Sequence, residues 1–196
     1  MEYYRVEMTP DPLLEPSDEN QWRQSVVDII QTLVLAAILF LGINAVSARI
    51  RIESGSMQET LHPGDFVFVN KLAYRFGALG RGDVVVFDPP FDSPEPYIKR
   101  MIGLPGDEII IEDGKVYING ELLPEPYIRE EFHSNGNWLV PQDSVFFMGD
   151  NRNNSSDSRS WGVTPLENVI GKAITVYWPP EQWGALAPSA VAAESP

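Results

Sequence analysis

Hydroxyls, carboxylates and amines are what this 196-residue chain has for covalent chemistry, because it contains no Cys and only two His. Without Cys there are no disulfides, thiol nucleophiles or Cys-based zinc sites, and two imidazoles cannot build a His-rich metal centre. Among the hydroxyls, Ser54-Gly55-Ser56-Met57 places two serines two residues apart, on the same side of an extended chain. A serine becomes a nucleophile only beside a base, and the charge it creates on a carbonyl needs donors. Read by itself, Ser-Gly-Ser is equally an ordinary turn.

The amines are few: Lys71, Lys99, Lys115 and Lys172. Lys115 follows an Asp-Gly turn, where solvent is expected. Lys99 lies in Tyr97-Ile98-Lys99-Arg100-Met101-Ile102. On a strand it shares a face with Tyr97 and Met101, and Arg100 shares the other with Ile98 and Ile102. One of the two cations must then face an apolar surface. Burial disfavours the charged ammonium and makes a lysine a base near neutral pH, a change open to Lys99 but not to Arg100. The pattern leaves equal room for both cations to snorkel at a sheet edge.

The polar run Gly149-Asp150-Asn151-Arg152-Asn153-Asn154-Ser155-Ser156-Asp157-Ser158-Arg159 leaves an apolar strand. It fails as a calcium loop: counted from Asp150, the third position is Arg152, the sixth is Ser155 instead of Gly, and the twelfth is Trp161. Asp157 and Arg159 suit a loop pinned by its own hydrogen bonds. A Ser-His-carboxylate triad is the competing chemistry, but neither His62, in a Pro-Gly turn, nor His133, in a polar loop, lies in a motif.

These groups need elements to position them. Ile29 to Ala48 carries no charge over 20 residues, enough for a helix to cross a hydrocarbon core. Val46-Ser47-Ala48 would suit a signal-peptide cleavage site, but the preceding segment is long and acidic instead of short and basic. Arg49 and Arg51 after the span, against Arg23 before it, weakly favour a cytoplasmic C-terminal side. Downstream, Asp65–Val69, Asp83–Phe87, Tyr97–Ile102, Ser144–Met148 and Val169–Trp178 read as strands. Glu108–Ile111, Lys115–Ile118 and Glu121–Leu123, joined by Asp-Gly and Asn-Gly, read as a three-stranded meander with primed turns. The expected fold is mainly β: an antiparallel β-sheet domain anchored by one N-terminal transmembrane helix. Its parts are an acidic tail over 1–25, the span over 26–48, the β domain over 49–180 and a flexible tail over 181–196. A net charge of −14 argues against nucleic acid as a partner.

In their order, the membrane helix, Ser-Gly-Ser-Met, Gly-Asp-x-Val, Gly-Asp-Val-Val-Val-Phe, Tyr-Ile-Lys-Arg-Met-Ile-Gly-Leu-Pro-Gly-Asp and Gly-Asp-Asn-Arg-x-Asn-Ser-x-Asp-Ser-Arg resemble the bacterial type I signal peptidases, over roughly Trp22 to Pro180. The resemblance implies a membrane-bound serine endopeptidase with a Ser/Lys dyad, which removes signal peptides through an acyl-enzyme and needs no cofactor or metal. It implies Ser56 as nucleophile and Lys99 as general base, with the Ser54 hydroxyl and Ser56 N–H as oxyanion hole. Ser155 would orient the Lys99 amine, Asp157 and Arg159 would pair to hold the loop, Asp150 and Arg152 would support them, and Met57 would line the cleft. The implied partners are preproteins with small residues before the cut, the lipid bilayer and, indirectly, the secretion machinery. The implied location is the bacterial cell membrane with the catalytic domain on the extracytoplasmic side, against the arginine count.

Two positions depart from the family pattern: Glu59 stands where Pro is usual and Asn153 where Asp is common. Between Asp107 and Ser144 there is room for a short meander and not for a large inserted domain. Two other readings compete. LexA-type self-cleaving repressors also pair a Ser-Met segment with a later Lys, but carry a DNA-binding helix-turn-helix and lack the Gly-Asp-Asn-Arg loop. A catalytically silent membrane-anchored β module would have no need of Ser56 and Lys99.

Overall fold

The computed structural model describes residues 18–186 and divides between Asn44 and Ala45 into two units. The expected tails over 1–25 and 181–196 lie outside the described residues at 1–17 and 187–196. Helix α1 (Asp18–Val46) contains a candidate membrane span, Gln21–Val46, of 26 residues, longer than the ~20 a bilayer crossing needs, with an 18-residue stretch of mean hydropathy 2.5. Its apolar side chains are exposed on every side. Its hydroxyls are satisfied within the helix: Ser25 Oγ donates to Gln21 O at 3.0 Å and Thr32 Oγ1 to Asp28 O at 2.8 Å. That is what a hydrocarbon environment requires of polar groups. The helix ends two residues before the expected Ala48, because Ser47 and Ala48 already pair with Asn70 and Val69 as strand.

The β domain runs β1 (Ser47–Arg51), β2 (Phe66–Asn70), a one-turn helix α2 (Ala73–Phe76), β3 (Val84–Phe87), β4 (Tyr97–Gly103), β5 (Glu108–Glu112), β6 (Lys115–Ile118), β7 (Glu121–Leu122), β8 (Gly136–Leu139), β9 (Ser144–Met148), a one-turn helix α3 (Ser158–Trp161), β10 (Thr164–Pro165), β11 (Val169–Trp178) and β12 (Gly184–Ala185). The large sheet has the order β1-β2-β11-β3-β4-β9-β10, with β12 beside β11, and the small sheet is β7-β6-β5-β8. Neighbouring strands run antiparallel. The domain extends past the expected limit at 180, since Gly184 and Ala185 pair with Val176 and Thr175.

Two kinds of strand follow from two kinds of sequence. β5 and β6 alternate, so Ile109, Ile111, Val116 and Ile118 face inward while Glu108, Glu112 and Lys115 face solvent. β3, β4 and β9 read as unbroken apolar or mixed runs and are buried on both faces. One face of the large sheet packs Val84, Val86 and Ile98 with Ile52, Met57 and Leu61. Val85, Phe87, Met101 and Phe147 form a cluster with Trp161, with Phe87 and Phe147 stacked at 4.0 Å. Ile102, Phe146 and Met148 meet the inner face of the small sheet. The expected meander gains β8 as a fourth strand; Gly136 and two polar neighbours hid it, and Trp138 secures it by packing on Phe146 at 5.0 Å.

Both meander turns have positive φ at both central residues, Asp113 (48°) with Gly114 (73°) and Asn119 (52°) with Gly120 (86°), as primed turns require. They differ in surroundings. A Cβ at Gly114 would lie 2.0 Å from Phe132 O, whereas one at Gly120 would meet open space. Gly114→Ala is therefore expected to cost more than about 2 kcal/mol in urea unfolding, and Gly120→Ala about 1 kcal/mol. Equal costs would show that the contact with Phe132 carries no weight.

Candidate active site

Ser56 sits on the turn that follows Ile52–Ser54, the continuation of β1, and it is buried with 6% of its surface exposed. Met57, expected to line the cleft, does not: it is fully buried in the core with Ile52, Leu61 and Val67. The reason is alternation, since a turn that presents Ser56 to the cleft turns its neighbour inward. Met57 thereby anchors the serine from beneath.

β4 supplies the amine. It lies between β3 and β9, so neither Lys99 nor Arg100 reaches solvent, with 3% and 2% exposure. The snorkelling alternative is thus removed by position in the sheet. Lys99 Nζ lies 2.7 Å from Ser56 Oγ and donates to Ile98 O at 3.1 Å. It also stands 5.2 Å from the Tyr97 ring centre. Burial pushes its pKa from the usual 10.5 down to about 8, against the opposing pull of Asp157 and Asp150. Ser54 Oγ lies 3.2 Å from Ser56 Oγ, so all three groups converge. Neither histidine is part of this arrangement; His62 Nδ1 lies 4.0 Å from Asp65 Oδ2.

The loop after β9 closes the site. Asn151 N donates to Ser56 O at 3.1 Å, and Asn151 Nδ2 donates to Gly55 O at 3.0 Å. The approach is close enough to demand glycine at 149, where a Cβ would lie 2.5 Å from Ser56 O and 2.2 Å from Ser155 Oγ. Gly149 N donates to Asp157 Oδ2 at 3.0 Å. Asp157 also accepts both Arg159 Nε and Nη2 at 2.8 Å. Burial would raise the Asp157 carboxyl, but these donors and the Arg159 charge hold it below the usual carboxylate range. The expected Asp157–Arg159 pair is therefore present.

The expected bond from Ser155 to Lys99 is not formed. The Ser155 hydroxyl acts instead on the Asp157 carboxylate, which it helps to hold low, and the Lys99 amine donates to Ile98 O. Asp150 accepts Arg100 Nε at 2.8 Å and Nη2 at 2.6 Å, and Thr60 Oγ1 at 2.5 Å. Arg152 pairs with Glu125 through its two terminal guanidinium nitrogens, Nη1 and Nη2. Sequence reasoning missed Thr60 and Glu125, which lie far from these partners in the chain and in no catalytic motif.

A cleft of about 310 Å³ opens beside Ser56 and Lys99, with an apolar wall of Ile50, Ile52, Val86 and Ile98. The arrangement can deprotonate a serine hydroxyl inside a partly enclosed groove with one aliphatic wall and otherwise mixed lining. Its electrostatics rest on the Arg100–Asp150 pair on the neighbouring position of β4. Asp150→Leu, which strands a buried guanidinium, is expected to lower stability by about 3–5 kcal/mol, and Arg100→Met with Asp150→Leu to recover most of that loss in thermal unfolding. A double variant as unstable as the single one would count against the pairing.

The chain is 40% identical over 179 residues to "Probable signal peptidase I-2" of a Synechocystis strain, covering 88% of this chain and 80% of that protein. It is 42% identical over 168 residues to "Signal peptidase I" of Leptolyngbya laminosa, covering 81% and 83%. To "Signal peptidase I" of Bacillus caldolyticus it is 37% identical over 149 residues, covering 67% and 80%. The sequence model of the family described as "Signal peptidase, peptidase S26" matches residues 23–178, which take in most of α1, every strand from β1 to β11 and the groups around Ser56 and Lys99. The chain belongs to that signal peptidase family, as a membrane-anchored serine endopeptidase that removes signal peptides, with one N-terminal span among the described residues and its β domain on the extracytoplasmic side.

Proposed function

We propose that Ser56 is the nucleophile and Lys99 its general base, acting on the bond that joins a signal peptide to an exported protein. The observation that carries this reading is the 2.7 Å approach of Lys99 Nζ to Ser56 Oγ inside a site that lowers the amine's pKa. A neutral Lys99 accepts the Ser56 hydroxyl proton as Oγ bonds to the substrate carbonyl carbon. The carbonyl oxygen becomes an oxyanion, which the Ser54 hydroxyl and the Ser56 N–H stabilise. The C–N bond then breaks, the Lys99 ammonium gives its proton to the leaving amine, and a Ser56 ester remains. Lys99, neutral again, takes a proton from water as the water oxygen bonds to the ester carbon; the C–Oγ bond then breaks, the Lys99 ammonium returns its proton to Ser56 Oγ, and the signal peptide leaves with a carboxylic acid end that ionises in solvent. Asp157 and Arg159 hold the loop behind this pair.

The substrates are preproteins with small side chains before the cut, presented beside the bilayer by the secretion machinery. The aliphatic cleft wall supports small, apolar side chains over charged ones. β1 is the edge of the large sheet, and its continuation lines the cleft, which supports a substrate bound as an added strand. The self-cleaving repressor and the silent module have no observation in their favour.

Purified full-length chain in detergent should cleave a preprotein, and Ser56→Ala and Lys99→Ala should each lose more than about 1,000-fold in kcat. Both variants cutting at the parent's rate would refute the assignment. Because the neutral amine is the active form, kcat/KM should rise with pH through an apparent pKa of about 8. A profile flat from pH 6 to 10 would contradict a lysine base.

The same shift acts on stability. Between about 8 and 10.5 the unfolded chain holds a proton on Lys99 that the folded chain has released, so stability gains from this residue as pH rises through that window. Lys99→Met should abolish cleavage, remove that pH dependence and leave the unfolding midpoint at pH 7 no lower than the parent's. A large loss of stability at pH 7 would show that the amine's burial is not costly.

A further inference from the structure

We propose that Glu125 and Tyr127, which lie between β7 and β8 and outside every catalytic motif, are positioning residues for the Ser56–Lys99 pair. The inference rests on that dyad assignment. Pro124 and Pro126 flank Glu125 and restrict the backbone on both sides of it. From this stiff segment Glu125 reaches Arg152: Arg152 Nη1 donates to Glu125 Oε2 at 3.0 Å, and Nη2 donates to Oε1. The Arg152 side chain is 1% exposed and that of Glu125 10%. Tyr127 OH donates to the same Oε1 at 2.8 Å, and its ring lies 4.0 Å from the Arg100 guanidinium carbon. One carboxylate thus holds one buried arginine directly and reaches a second through the tyrosine.

Both arginines end on the backbone or carboxylates of the loop that carries the site. Arg152 Nε donates to Gly149 O at 3.1 Å, and Arg152 O accepts Arg159 Nη2 at 2.7 Å. Arg100 binds Asp150. Between these fixed points lies Asn151, which holds Gly55 O and Ser56 O. The side of Arg152 not occupied by Glu125 is closed by the Phe132 ring, 4.9 Å from its guanidinium carbon. Segment 125–132 is therefore a strap across the back of the loop. A buried guanidinium that loses its carboxylate must find another partner or move, and either shifts the loop that aligns Ser56 with Lys99. Misalignment of the reacting groups lowers the chemical step more than it lowers binding, because the cleft wall on β1, β3 and β4 is untouched.

The test uses the full chain in detergent, at a temperature where every variant is folded. Glu125→Gln should lower kcat about 10-fold to 100-fold with KM within about twofold. Glu125→Asp, which keeps the charge, should regain part of the rate. Tyr127→Leu should lower kcat about 10-fold, while Tyr127→Phe, which keeps the ring over Arg100, should lose less. Ile118→Ala, a cavity in the small sheet away from the loop, controls for general destabilisation and should leave kcat within about twofold. Amide hydrogen exchange at Gly149 and Asn151 should be faster in Glu125→Gln and unchanged in Ile118→Ala. An unchanged kcat together with unchanged exchange at these amides, or an Ile118→Ala variant equally slow, would overturn the proposal. Failure of the parent to cleave any preprotein would instead refute the dyad reading, and the exchange arm would still decide whether Glu125 holds the loop.

Discussion

A lysine can act as a base near neutral pH only where water cannot solvate its ammonium form, and the structure turns on meeting that condition at Lys99. The condition is met by topology: β4 lies between β3 and β9 in the large sheet, and layers cover both of its faces. The same placement has a cost, because consecutive residues of a strand point to opposite faces and Arg100 is buried as well. Arg100 cannot shed its charge. It needs a buried anion, and Asp150 provides one.

That compensation sets the site's electrostatic balance. Asp150 and Asp157 both favour the protonated form of Lys99, while burial disfavours it, and the result is a value of about 8 instead of 10.5. Each aspartate is itself tied to an arginine, Asp150 to Arg100 and Asp157 to Arg159, which moderates the field that it exerts on the amine. The lattice of alternating charges therefore keeps the loop closed without returning the lysine to its solution behaviour. Every pair in it is buried or nearly so, which makes its members costly to remove singly and gives the loop one geometry.

Packing completes what charge begins. Met57 in the core below Ser56, Gly149 in contact with Ser56 O, and Asn151 bonded to Gly55 O and Ser56 O hold the nucleophile's turn from three directions. The serine is thereby placed by backbone and core, and its hydroxyl remains available to the amine and to Ser54.

Much of this was legible in the chain. Period-two alternation marked β5 and β6, the Asp-Gly and Asn-Gly turns carried their positive φ values, and an uncharged run marked the span, because local sterics and solvation act on neighbouring residues. Lys99 stood out because lysines are scarce and this one sits in an apolar strand. The face of β4 on which each cation would be compensated was not legible, nor were the partners, Arg100 for Asp150 and Glu125 for Arg152. The inward turn of Met57 and the turn of the Ser155 hydroxyl toward Asp157 instead of Lys99 were hidden for the same reason. Those outcomes depend on which distant segments meet, and residues 27, 50 or 90 positions apart become neighbours only when the sheets close. The sequence by itself determined which groups could react and which segments would be strands; the tertiary structure decided which charges would be dry and what would neutralise them, because desolvation is a property of the assembled surroundings and not of any stretch of chain.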